Sequence, residues 1–190
     1  MAKKTKKLYD DSWMYILLLT TLTILLYSLS TYKFSIAGVR LSYSLIGLPL
    51  IYFITNYITK KYNYAKAITA ISASAVGMVL FIIIMNFALG KEIIMTNMSG
   101  HFAGYVISQF VNLTIYYFLI QNTKAPLFLI FLTYMFSLIV FYMFYTLIFL
   151  QMIVIEGYWT GYFITLATQA VISIVLAIID SKTIKRGRDE

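Results

Sequence analysis

With 190 residues, 61% of them hydrophobic, and a mean hydropathy of +0.84, the chain is far more apolar than a soluble domain, which runs at about half; a soluble fold and a separate catalytic domain are both excluded. Its net charge of +8 lies at the edges of apolar stretches, so it reads as a topology signal and not as a nucleic-acid surface. Cysteine is absent, which excludes disulfides and thiolate metal sites.

A helix rises about 1.5 Å per residue, so roughly 20 apolar residues cover the hydrocarbon core of a bilayer. Six stretches read as spans, with no Asp or Glu in the middle of any. The first, about 13–31, is flanked by Trp13 and Tyr32, whose rings suit the two interfaces. No small-residue cleavage site follows it, so the basic start MAKKTKK is expected to precede a retained helix. The second, about 43–58, contains Pro49, which predicts a kink or break. The third, about 65–89, is rich in small residues from Ala67 to Gly77, which favours close helix contact. The fourth is about 101–120. The fifth, about 125–150, begins with Pro126 at a position that suits the first turn. The sixth is about 159–179. The fold expected is all-α: one integral membrane domain over 1–190, a bundle of six transmembrane helices.

Orientation follows from the basic residues. Lys3, Lys4, Lys6 and Lys7, then Lys60, Lys61 and Lys66, then Lys124, then Lys182, Lys185, Arg186 and Arg188 fall on one side. Only Lys33, Arg40 and Lys91 fall on the other. The positive-inside rule places both termini in the cytoplasm. The bias towards Ile, Lys, Asn and Tyr is that of a low-GC bacterial genome, so a bacterial cytoplasmic membrane is expected.

Span four, HFAGYVISQFVNLTIYYFLIQN, carries the clearest chemistry. His101, Tyr105, Ser108, Gln109, Asn112 and Tyr116 share one face at helical spacing. An unpaired amide in hydrocarbon is costly, so Gln109 and Asn112 must face protein, water or ligand. Two readings stand: a solute site, or hydrogen-bonding glue between helices. His101, the single histidine, makes no metal site alone and reads as an interface residue, with capping the solute site or pH sensing as the alternatives. Asn56 in span two and Thr165, Thr168 and Gln169 in span six add further amides and hydroxyls. Glu92 and Glu156 fall in outer loops and read as solvated, or as acids closing over a solute. The chain has no phosphate-binding GxxxxGK[ST] loop, no HExxH and no paired intramembrane carboxylates. Neither an ATP motor nor a membrane enzyme is expected, and no cofactor.

Two segments, YKFSIAGVRLSYSLIGLPLIYFITNYITKKYN and YVISQFVNLTIYYFL, together with FLTYMFSLIVFYMFYTLIF, carry a resemblance over about Leu26 to Lys185. The chain resembles the vitamin-uptake family of queuosine-precursor transporters, six-span bacterial proteins similar to the substrate-binding subunits of energy-coupling-factor transporters. In that family the second span ends in Asp-x-x-x-Glu-x-x-Gly; those positions here are Asn56, Lys60 and Asn63. The family has Ser-Gln, two apolar residues, then Asp; here Ser108 and Gln109 are kept and Asn112 stands at the Asp. The acidic position of the fifth span falls at Phe141, and the sixth span's usual Lys and Pro have no counterpart. An Asp-to-Asn change keeps an acceptor, adds a donor and removes the charge.

The resemblance implies an uptake transporter, or a transporter's substrate-binding subunit, for a small planar neutral solute such as a nucleobase or queuosine precursor. Amides would pair with its edge, and Tyr105 or Tyr116 would stack on its face. Spans four to six would form an outward-facing pocket. Energy would come from a gradient or a separate ATPase module, for which span three's small face is a docking candidate, unless that face packs within the bundle. The alternative is a non-transporting scaffold or assembly subunit of an envelope complex. The partners expected are the solute and the lipid bilayer, with no nucleic acid.

Overall fold

The computed structural model describes residues 11–29, 33–36, 39–42, 47–89, 95–122, 127–148 and 158–186. Six helices and one β-hairpin lie within them: α1 (Ser12–Ser28), β1 (Lys33–Ile36), β2 (Val39–Ser42), α2 (Leu48–Lys61), α3 (Tyr64–Leu89), α4 (Met95–Asn122), α5 (Leu127–Ile148) and α6 (Tyr158–Arg186). Four of these, α3 to α6, contain windows long and apolar enough to cross a membrane: Tyr64–Met85, His101–Gln121, Leu127–Tyr145 and Trp159–Lys182. α1 is apolar but has 17 residues, and α2 has 14 with polar residues throughout. At about 1.5 Å per residue α2 measures roughly 21 Å, short of a bilayer core.

The six helices match the all-α architecture expected, which is amended only by one added hairpin, whose strands pair antiparallel with Lys33 opposite Ser42, Phe34 opposite Leu41, Ser35 opposite Arg40 and Ile36 opposite Val39. KFSI and VRLS alternate polar and apolar residues, the period of a strand and not of a helix. The second span is corrected too. Its helix starts at Leu48, so Pro49 lies in the first turn, where its missing N–H breaks no hydrogen bond and no kink results. The Asn63 side chain caps α3 by accepting the Lys66 backbone N–H at 2.8 Å. Pro126, Glu92 and Glu156 lie outside the described residues.

Contacts fix the direction of each helix. Asp11, just before α1, pairs with Lys61 at the end of α2, and Leu26 of α1 covers Gly47 at the start of α2. Tyr64 and Tyr117 lie 4.9 Å apart while Ser74 meets Tyr105, so α3 and α4 are antiparallel. Tyr116 and Tyr134 converge on Asp180 while Gly104 abuts Phe141, so α4 and α5 are antiparallel as well. Thus α1, α3 and α5 run one way and α2, α4 and α6 the other. The chain enters α1 and leaves α6 at the same end of the bundle, beside Lys60 and Lys61.

α2 is the hub and packs against all five other helices. Nine of its 14 residues are buried, among them Tyr52, Thr55, Asn56 and Thr59. Around it the usual order of a soluble protein is inverted. Large apolar side chains such as Leu17, Ile84, Phe87, Phe136, Phe163 and Val171 face outward, and amides, hydroxyls and a carboxylate are buried. A lipid solvent rewards that arrangement. The small face of α3 packs within the bundle: Ala67 and Ala70 are fully buried, and Gly77 lies against Thr20 of α1.

α4 and α5 approach closely at Gly104, where an added Cβ would lie 3.0 Å from the Phe141 carbonyl oxygen and 3.1 Å from its ring. Backbone cannot yield as a flexible side chain does. Gly104→Ala is therefore expected to destabilise by about 1–3 kcal/mol, the range for overpacking, read as a lower unfolding temperature in detergent. An unchanged temperature would show that α4 and α5 have room to separate there.

Candidate functional site

The buried face of α2 forms a polar seam with α4. The Tyr52 hydroxyl donates to Ser108 Oγ at 2.8 Å and also approaches the Ser137 carbonyl at 3.3 Å. One turn on, Thr55 Oγ1 donates to Gln109 Oε1 at 3.0 Å. Next to it, Asn112 Nδ2 donates to Asn56 Oδ1 at 2.7 Å. Paired residues stand 54 to 56 positions apart, as parallel helices require.

This seam is not fully satisfied. Asn56 Nδ2, Gln109 Nε2 and Asn112 Oδ1 are buried with no hydrogen-bond partner, as is Ser173 Oγ of α6. The Tyr134 hydroxyl is the polar group beside Asn56. Turning both asparagines over would only exchange which atoms are left over. Buried polar groups are paired in the great majority of proteins, and each orphan costs about 1–3 kcal/mol. Two donors and one acceptor left over on adjoining residues match the needs of a ligand edge that offers both kinds of group.

One turn further towards the basic end lies an acid that sequence reasoning placed outside the spans. Asp180 is buried; its Oδ1 accepts Lys60 Nζ at 3.1 Å and the Tyr116 hydroxyl at 2.8 Å, and its Oδ2 accepts the Tyr134 hydroxyl at 3.3 Å. Lys60, read from sequence as a loop charge, is thus the cationic half of an internal ion pair. The signals were present. Tyr52, Asn56 and Lys60 recur every four residues, and so do Thr165, Gln169, Ser173 and Ala177, with Asp180 three further on.

The remaining sequence candidates separate. Ser108, Gln109, Asn112 and Asn56 come together. Ser108, Gln109 and Asn112 of α4 meet Tyr52, Thr55 and Asn56 of α2. Tyr116 is one turn below and donates to Asp180. Tyr105 points to α1 and α3, where its hydroxyl meets Ser74 at 2.5 Å and Thr23 at 3.3 Å. Gln169 Oε1 accepts the Tyr142 hydroxyl at 3.1 Å between α5 and α6. Thr165 and Thr168 bond back to the carbonyls of Gly161 and Ile164. His101 lies among aromatic rings, 4.6 Å from Tyr145, 6.0 Å from Phe141 and 6.5 Å from Tyr27, near the far end of the bundle. No group of three or more His, Cys, Asp or Glu that could hold a metal ion occurs among the described residues.

At the basic end, Asp11 accepts the Tyr62 hydroxyl at 2.5 Å and Lys61 at 3.0 Å. The tyrosine hydroxyl first, and Lys61 second, hold its carboxyl below the ordinary 3.8. A depressed folded value stabilises above the unfolded one and is lost as pH falls through the folded one. Asp11→Asn should therefore lower the unfolding temperature slightly near neutral pH and leave it unchanged well below pH 3.8. Equal effects at both would remove the ionic contribution.

Compared with models of known protein families, with curated proteins and with solved structures, the chain has no significant match.

Proposed function

We propose that the protein is a membrane uptake transporter, or a transporter's substrate-binding subunit, whose solute is small, planar and neutral, of the vitamin or nucleobase class and including queuosine precursors. The observation that carries this reading is the layer of Asn56, Gln109 and Asn112, buried in the bundle with unpartnered donors and an acceptor. Such atoms are costly in the empty protein and become satisfied when a solute edge meets them. In this reading all six helices cross a bacterial cytoplasmic membrane, α2 shielded by its neighbours, with both termini cytoplasmic. The common end for the start of α1 and the end of α6, together with its lysines, supports that orientation. The driving energy comes from a gradient or a separate ATPase module, and no chemical conversion is assigned to the chain.

Two pairings involve positions of the family's pattern. Asn56 and Asn112, which stand at two acidic positions of the family's pattern, hydrogen bond to each other at 2.7 Å. Lys60, which stands where the family has Glu, pairs with Asp180 of α6 at 3.1 Å.

The test is a thermal-shift screen of detergent-purified protein against nucleobases, deazapurines and water-soluble vitamins. A solute at a hundredfold excess over Kd raises apparent stability by about 2.7 kcal/mol. A shift in the parent that Gln109→Ala and Asn112→Ala abolish is the expected result; a shift that both variants retain would place the solute elsewhere. A scaffold role is the second reading, favoured by Tyr105 and the Tyr142–Gln169 pair, whose polar atoms serve helix–helix contacts. Folded protein that shifts with no compound supports that role.

A further inference from the structure

The basic end of the bundle holds an ionisable group that solute recognition leaves unused. Asp180 is 1% exposed and sits where four helices meet, with Lys60 from α2, Tyr116 from α4 and Tyr134 from α5 around the carboxylate of α6. It stands one turn beyond the amide layer. Asn56 and Lys60 are four residues apart on α2, and Asn112 and Tyr116 four apart on α4, so each step is about 6 Å. Tyr134 links the levels, donating to Asp180 Oδ2 and standing beside Asn56. The two partners of the ion pair also differ in freedom. The carboxylate is fixed within the helix, whereas Lys60 is 20% exposed and ends on a long flexible stem.

We propose that Asp180 is a proton-binding site that couples solute movement to the proton gradient, with its ion pair to Lys60 as the lock on the basic end of the bundle. The inference rests on the uptake reading. One proton from water adds to the carboxylate and gives a neutral acid. Lys60 stays an ammonium and loses its counter-ion, so the net charge of the pair goes from zero to plus one. An ammonium no longer balanced by the carboxylate is costlier in low dielectric, and Lys60, already 20% exposed on its flexible stem, moves to the aqueous edge. The acid keeps Tyr116 and Tyr134 as hydrogen-bond partners. With the charged tie between α2 and α6 gone, water reaches Thr59 and the amide layer from the basic end. Loss of the proton restores the pair and closes it. Among the described residues, Lys60, Tyr116 and Tyr134 face Asp180; Lys61 is turned to Asp11, and Lys182 is exposed.

The absence of cysteine allows a direct test. Thr59, 4% exposed and next to Lys60, is replaced in Thr59→Cys, and the protein is reconstituted in liposomes. A membrane-impermeant maleimide is added on the Lys60 side, and the labelling rate is divided by that of an exposed reference, Lys182→Cys. The normalised rate is expected to rise about tenfold between about pH 8 and pH 5, as a minor open state becomes populated. Adding Asp180→Asn should make labelling fast throughout that range. Slow, pH-independent labelling with the native ion pair in place would overturn the proposal, and that arm does not depend on the Asp180 variant folding. Infrared spectra of the parent should show a protonated-carboxyl band that titrates in the same range; its absence would overturn the proposal equally. The solute-induced thermal shift is measured on the same preparations. A normal shift beside pH-independent labelling discards proton coupling while leaving solute binding intact.

Discussion

Asp180→Ala is expected to be the most damaging single polar substitution in this protein, costing about 3–5 kcal/mol of stability, the range for breaking a buried ion pair from one side. The size follows from what is left behind. Lys60 loses its counter-ion, and the hydroxyls of Tyr116 and Tyr134 lose a shared acceptor at a point where α2, α4, α5 and α6 meet. Lys60→Ala should cost less. It leaves a carboxylate still held by two hydroxyls, and it removes a side chain that is already partly in contact with water. The order is checked by unfolding each variant in the same detergent. If Lys60→Ala proved the worse, the carboxylate would depend on the ammonium more than on the tyrosines.

The second large effect concerns the asparagine pair. Asn112→Leu alone should cost about 1–3 kcal/mol, because it strips the donor from Asn56 Oδ1 and adds no apolar partner. The double change Asn56→Leu with Asn112→Leu should cost less than the sum of the two single changes and come close to the parent. Replacing both members of a buried polar pair by apolar groups of similar shape can be nearly neutral, and interhelical hydrogen bonds in membranes contribute only about 0.6 kcal/mol on average. The double variant therefore separates glue from site. A stable bundle that has lost every solute-induced shift assigns the amides to recognition. A bundle that loosens as much as the singles predict assigns them to packing.

Much of this was legible in the sequence. The long apolar runs and the polar face of span four are properties of single segments, and periodicity reports such properties well. Ser108, Gln109 and Asn112 were found because they crowd one helix face. What escaped were relations between segments. Asp180 and Lys60 each lie near the end of a helix, where a charge is ordinarily solvated, and nothing in either segment shows that the two face each other across 120 residues. Tyr105 and Tyr116 lie on the same face of α4 as the amides, yet α4 drifts past three neighbours along its length, so that one meets α1 and α3 and the other meets α6. The hairpin escaped for a different reason: its strands are four residues each, too short for periodicity to outweigh the apolar surroundings.

The central position of α2 bears on how the protein is made. A segment of 14 residues carrying Asn56, two lysines, two tyrosines and two threonines gains little by entering lipid alone. Tyr57 and Lys61 meet Tyr15 of α1, and Lys61 also Asp11, but Tyr52, Thr55, Asn56 and Lys60 find side-chain partners on helices synthesised later: Ser108, Gln109 and Asn112 on α4, and Asp180 on α6. If α2 enters the bilayer, its amide face must therefore wait at the water interface or beside the insertion machinery until α4 has emerged, and Lys60 until α6 has. The arrival of α6, rather than the insertion of the first helices, then becomes the step that completes the tie at the basic end.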